Sequence, residues 1–425
     1  MLCSINSSDI PDNSSPKKNS VGLARRALEL LKKLPDTEER AQQELCLQLT
    51  IGVPLIVTGG YASADVGTAY TRARELSQRV GATADISEVL WGLWVFYTVR
   101  AELKTAHEIA EEFLRLAEQL PYPGLAMRGH EAMEVTFVQM GRFAESVEHY
   151  EKALLLYDPQ QHRDDVFQYS QNPGVALRSH AAWALWCLGQ PDRALNLNKE
   201  ALALVRELSE PHGLAHTLYF GAILHQLRGE NQLAQQHAEA AIEVSTEHGL
   251  SIYEAFGIIA RGSALIEEGS TEEGIEQIRH GLAVHEATGA RLARPYFLAL
   301  LADALRSVGK IDESLRAIDD ALSLSHERGE ERYLAELYRL KGEMLLMRGD
   351  ENAADCFNEA IAVAQRQKAK SLELRAAMSL ARLYNGRSPA SERLAVIYNS
   401  FTEGFATKDL QDAKTLLDEL SRSSG

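Results

Sequence analysis

The chain has 425 residues, with 60 acidic against 44 basic side chains and a formal net charge of −16. That balance argues against nucleic acid or an anionic membrane surface as the main partner, while leaving room for a local basic patch. Four scattered cysteines, Cys3, Cys46, Cys187 and Cys356, form no CxxC pair, which fits a reducing cytoplasm and neither a disulfide framework nor a zinc site.

Residues 1–20 are rich in Ser, Asn and Pro, carry no apolar signal-peptide core, and are expected to form a disordered tail. Val21 to Leu34 predicts a short amphipathic lead-in helix. Pro35-Asp36-Thr37 opens the next, with Glu38 and Glu39 favourably placed for the helix dipole. That helix should kink or end early at Pro54. Gly59-Gly60-Tyr61 reads as a turn and Asp65 to Arg79 as its partner helix. A second hairpin follows from Asp85 to Gln119, turning near Ala101, and a third from Gly124 to about Leu156, turning at Gly141.

From there glycine becomes periodic. Gly189, Gly229, Gly269, Gly309 and Gly349 are each 40 residues apart, and Gly249, Gly289 and Gly329 fall 20 residues past three of them. A fixed period of this size marks an array of one supersecondary unit. Between glycines lie two helix-favouring apolar segments, and glycine suits the left-handed position just past a helix end. Ser270-Thr271-Glu272-Glu273 reads as a capping box. Small residues recur five places after each turn (Ser146, Ala194, Ala234, Gly274, Ser314) and twelve places after it (Ala153, Ala201, Ala241, Gly281, Ala321), as close helix packing requires. In the eighth hairpin they come one place early, as Ala353 and Ala360. The step from Gly141 to Gly189 is 48 residues, so eight are inserted near residues 158–174. A ninth, irregular pair runs from Leu372 to about Phe401, and Asp409 to Leu420 predicts a final helix. The fold expected is all-α, a right-handed helical-hairpin solenoid of about eight to nine hairpins over residues 21–405, with a capping helix and tail over 406–425.

The turn-to-small-residue spacing on a two-helix unit resembles the tetratricopeptide repeat, with lengthened helices and mostly without its early Trp and terminal Pro. Several stretches go further. Asp36 to Val53, Gly60-Tyr61-Ala62 through Arg74, Gly92 to Arg100, Leu156 to His162, Asn172-Pro173-Gly174-Val175, Ala293 to Leu300 and Ala335 to Glu343 together resemble the C-terminal tetratricopeptide region of large bacterial predicted signalling ATPases. The resemblance implies a sensing or docking arm. It does not bring those proteins' ATPase or cyclase activity, because no G-x-x-x-x-G-K-[ST] loop is present and Gly309-Lys310 lacks the rest of one.

Catalytic motifs fail on inspection. His107-Glu108 and His130-Glu131 begin like H-E-x-x-H but lack the second His, and there is no G-x-S-x-G elbow. No metal or cofactor is expected. The concave wall is the better candidate. Offsets of −13, −10, −6 and −3 from each turn share one face of the first helix. On that face stand Glu88 and Trp91, Arg128, Trp183 and Trp186, His216 and Tyr219, Tyr296 and Arg306, and Glu336 and Arg339. Aromatic and Arg side chains are the usual anchors of binding surfaces, although an aromatic stripe at helical spacing also serves as core. In the insertion, Asp158, His162 and Asp164 are loop candidates. The residue after each turn glycine (Arg142, Gln190, Glu230, Ser270, Lys310, Asp350) is never the Asn that a chaperone-tail clamp uses. These residues predict a cytoplasmic, non-catalytic scaffold or sensor arm that takes a protein or peptide partner, or a small signal ligand. Docking of one copy on another through a terminal hairpin is a weaker expectation. The alternative is an enzyme or small-molecule binder whose superhelix encloses a pocket, with Glu88, His180 or His216 as acid or base.

Overall fold

The computed structural model describes residues 14–81, 85–120, 123–163, 165–169, 171–385 and 389–423. All regular structure among them is helical. Helix α1 (Ser14–Leu31) leads in, beginning inside the stretch expected to be tail, while residues 1–13 lie outside the described residues. Nine hairpins follow. They are α2–α3 (Glu38–Gly59, Ala64–Val80), α4–α5 (Ile86–Val99, Leu103–Gln119), α6–α7 (Pro123–Gln139, Phe143–Leu156), α9–α10 (Pro173–Cys187, Pro191–Leu208) and α11–α12 (Pro211–Arg228, Asn231–His248). Then come α13–α14 (Ser251–Glu267, Thr271–Ala287), α15–α16 (Arg294–Ser307, Ile311–Arg328), α17–α18 (Leu334–Met347, Ala353–Arg366) and α19–α20 (Lys370–Leu383, Ala390–Asn399). Short α8 (Asp165–Tyr169) lies in the insertion, and α21 (Lys408–Ser423) closes the chain.

The periodic glycines turn the chain through positive φ, Gly229 at 78° and Gly309 at 75° among them. Ala101 takes the same role at φ 57°, so the second hairpin keeps the turn without the glycine. The recurrent small residues sit where helices of one hairpin touch. Ser146, Ala194, Ser314, Ala153, Ala201, Ala241 and Ala321 are fully buried, and a Cβ on Gly274 would stand 2.5 Å from the Gly262 carbonyl oxygen. Two local expectations are corrected. Helix α2 runs through Pro54 to Gly59, at the cost of one intrahelical hydrogen bond. Ser270 is the N-cap residue of α14, yet its side chain makes no capping bond; its backbone carbonyl accepts from Gly274 N instead.

The superhelix winds tightly enough for its turns to touch. The Val99 carbonyl, at the tip of the second hairpin, accepts from Arg291 N at 2.9 Å and Leu292 N at 3.0 Å, just before the seventh. Gln139 O, at the tip of the third, accepts from Arg332 N at 3.1 Å, just before the eighth. Trp186 O, near the tip of the fourth, accepts from Ser371 Oγ at 2.6 Å in the ninth. Hairpin n thus meets the start of hairpin n + 5, and one superhelical turn takes about five hairpins. Tyr61 Oη lies 2.7 Å from His212 Nε2, and Glu403 Oε1 accepts from Asp192 N at 2.8 Å, which fastens both ends of this ladder. The concave side therefore closes into an interior.

Candidate functional site

The interior holds a chamber of about 120 Å³. Its walls come from the first helices of hairpins two to six and from the loops of the next superhelical turn. Trp91, Trp94 and Val95 of α4 face Phe220 of α11 and Tyr253 and Phe256 of α13, while Ala290, Leu292 and Ala293 close it from the loop before α15. The rings pack edge-on or tilted: Trp91 and Trp94 have centroids 4.7 Å apart, Tyr219 and Phe256 4.5 Å, and His216 and Phe220 4.6 Å. Such pairs add rigidity beyond their burial.

Polar groups break this apolar wall at a few points. Glu131 and Gln139 lie on α6, eight residues and so about 12 Å apart along the helix. Burial raises the Glu131 carboxyl to about 7 against the pull of Arg128, which donates to its Oε2 at 2.7 Å; its Oε1 accepts no hydrogen bond within the protein. His180 Nδ1 lies 3.0 Å from Ala176 O, and burial holds the ring at a pKa of about 4. His216, whose ring centroid is 5.2 Å from that of His180, is also held neutral by burial. Arg332 enters from the loop before α17, with its guanidinium 4.5 Å above the Trp183 ring.

The expected face is only partly the chamber wall. Trp91, His216 and Tyr219 line it. Trp183 stands behind Arg332, and Trp186 and Tyr296 are core; all three are no more than 3% exposed. Arg375 stacks 4.9 Å over Trp186, and Tyr296 Oη donates to Gln226 Oε1 at 3.1 Å. These side chains pack between superhelical turns and present no surface to a partner. Arg128, 1% exposed, pairs with Glu131 and Asp165 and stacks 4.0 Å over Tyr169, so it pins α8 in place. Glu88 is half-buried near Tyr70, outside the chamber. Arg306 pairs with Asp303 at 2.7 Å.

Arg339 and Glu336 line a second, polar space of about 270 Å³ between hairpins five to nine and α21. There Arg339 donates to Glu336 at 2.7 Å and Arg375 to Asp409 at 2.8 Å, so its charges are mutually matched. The insertion candidates stay apart from both spaces. Asp158 Oδ1 accepts from Gln160 N and Gln161 N, which holds its carboxyl below the ordinary range. His162 stacks on Tyr157, and Asp164 lies outside the described residues. Among the described residues, no group of three or more His, Cys, Asp or Glu is placed to hold a metal ion, and no helix is long and apolar enough to cross a membrane.

Arg332, Glu131, Gln139, Tyr61 and Phe220 escape the offset count. Arg332 and Leu292 come from the connections before hairpins seven and eight, which take four residues where Leu250 alone joins Gly249 to α13. That lengthening is the sequence signal for the closing loops, and the same count does reach Phe256 in hairpin six.

No family model matches the chain. An uncharacterized protein of Rhizobium meliloti (strain 1021) is 21% identical over 363 residues, covering 84% of this chain and 35% of that protein. The chain thus spans about a third of that relative's length. Among solved structures, a Rap protein complexed with competence and sporulation factor superposes with a TM-score of 0.59 at 16% identity, over 89% of this chain and 99% of the other. NprR in complex with its cognate peptide NprX gives 0.58 at 13% identity, over 83% and 97%. These likenesses define the fold class, a tetratricopeptide-like all-α solenoid.

Proposed function

We propose that this chain is a non-catalytic sensor arm that takes a short peptide or small signal ligand into its superhelical interior. The observation that carries this reading is the chamber: a rigid aromatic lining, interrupted by buried polar groups whose hydrogen bonds the protein leaves unmade, is the usual makeup of a ligand site. The Rap protein and NprR, which share the fold, were solved with signal peptides, which supports a signal peptide or a molecule of like size. Together with the resemblance to ATPase sensor regions, this places the arm in bacterial cytoplasmic signalling, reporting occupancy to a protein partner. The test is mass spectrometry of the molecules released when the purified chain is denatured. A peptide or small molecule should come off the natural chain and be lost from Ala176→Leu, which fills the chamber at a buried wall position. Equal retention by the filled variant would place the ligand elsewhere.

A second reading, an enzymatic pocket, draws on one observation: His180, His216 and Glu131 share the chamber. Both histidines are held neutral at pH 7, as a base must be. A ligand recovered chemically altered after incubation would favour it over the sensor.

A further inference from the structure

Resting on the chamber as a ligand site, we infer that its ligand carries a carboxylate on a small apolar body and that Arg332 is the residue that binds it. Arg332 is built into the wall. Its side chain is 4% exposed, its backbone N–H is held by Gln139 O at 3.1 Å, and its guanidinium lies 4.5 Å over Trp183 and 5.9 Å from Tyr296. Nε and Nη2 make no hydrogen bond within the protein. These two nitrogens form one edge of the guanidinium, the edge whose parallel N–H groups fit the two oxygens of a carboxylate. The carboxylate beside it, Glu330, does not fill that role: its Oε1 accepts from Ala293 N at 2.9 Å and stands 3.5 Å from Nη2, beyond a good hydrogen bond. A buried cation with an unpaired edge is costly, and an anionic ligand removes that cost.

The neighbours fix the rest of the ligand. Gln139 Oε1 accepts nothing within the protein and sits at the same end, placed for an N–H next to the carboxylate. Beyond it the wall is aromatic, and a space of about 120 Å³ holds about one ring or a short branched chain. A free acid and the C-terminal residue of a short apolar peptide share this chemistry; only the peptide brings the N–H.

The experiment titrates the full chain with two matched pairs, phenylacetate with phenylacetamide and N-acetylphenylalanine with its amide. Binding is read by calorimetry and by the fluorescence of Trp91 and Trp94. In at least one pair the acid is expected to bind about ten- to a hundredfold tighter than the amide. That gap should close in Arg332→Gln and stay partly open in Arg332→Lys, which keeps the charge but loses the fork. A larger gap for the N-acetylphenylalanine pair names a peptide C-terminus, and a larger one for phenylacetate a free acid. Equal binding of acid and amide by the natural chain overturns the carboxylate assignment and leaves the chamber as a site. No binding of either pair, with a neutral molecule recovered from the purified chain, overturns the assignment in the same way. No binding and nothing recovered removes the chamber reading itself. Should Arg332→Gln fail to fold by circular dichroism, the acid-to-amide gap in the natural chain still decides.

Discussion

Arg128 and Arg332 are both buried arginines stacked on tryptophan, yet they do opposite things. Arg128 is spent inside the protein, with Nη1 2.7 Å from Glu131 and Nη2 2.5 Å from Asp165. Arg332 keeps an edge of its guanidinium unpaired at the chamber. Breaking a buried pair from one side leaves the other charge uncompensated, so Arg128→Gln is expected to cost about 3–5 kcal/mol. It should also release α8, seen as a lower melting temperature and faster protease cutting within residues 158–171. A melting temperature within a degree of the natural chain's would show that the pair is dispensable. Trp183→Ala is expected to be similarly costly, about 3–5 kcal/mol, because it removes a core ring together with the platform under Arg332. Its phenotype should therefore be unfolding, measured by denaturant titration, and not the selective loss of a partner that a groove anchor would give.

At the scale of the hairpin, much was legible. Period-40 glycines, the Ala101 turn and the ninth irregular pair all follow from helix-end chemistry, which is local. The chamber was legible only in part, because it forms between elements about five hairpins apart. Which hairpin meets which depends on small rotations summed along the stack, and no residue spacing records that sum. Trp183 and Trp186 show the consequence: they stand on the face that the helical period selects, and the next superhelical turn covers them. Turn glycines separate the two effects. Gly141 and Gly309 share nearly the same backbone, φ 71° and 75°, but a Cβ on Gly141 would strike Gln367 and lie 3.2 Å from Glu331 O, whereas Gly309 has open space. Gly309→Ala should cost about 1–2 kcal/mol from the left-handed backbone alone. Gly141→Ala should cost more, by loosening the contact between superhelical turns. Equal costs in a denaturant titration would mean that this contact adds nothing.

Over the whole molecule, burial sets two groups of proton equilibria against each other. It holds His149, His180, His212, His237 and His285 near about 4. Their unfolded value is about 6.5, so the stability they contribute is present above that and is lost as pH falls towards about 4. Glu131, Glu210 and Glu330 are raised by burial to about 7. Their contribution is complete below an unfolded value of about 4.3 and is lost as pH rises through about 7. Histidines outnumber glutamates in the window between, so the melting temperature should peak between about pH 6 and 7 and fall more steeply on the acid side. A flat thermal profile from pH 4 to 8 would contradict this.

The ladder joining hairpin n to hairpin n + 5 also changes what kind of spring the solenoid is. An open tetratricopeptide coil can shorten or stretch when something enters it. Here the Val99, Gln139 and Trp186 carbonyls already bear on the coil above. A spring wound until its coils touch has no compression left. Any ligand that strains the interior can only part the coils, and the displacement then adds along the axis and emerges at the ends of the chain.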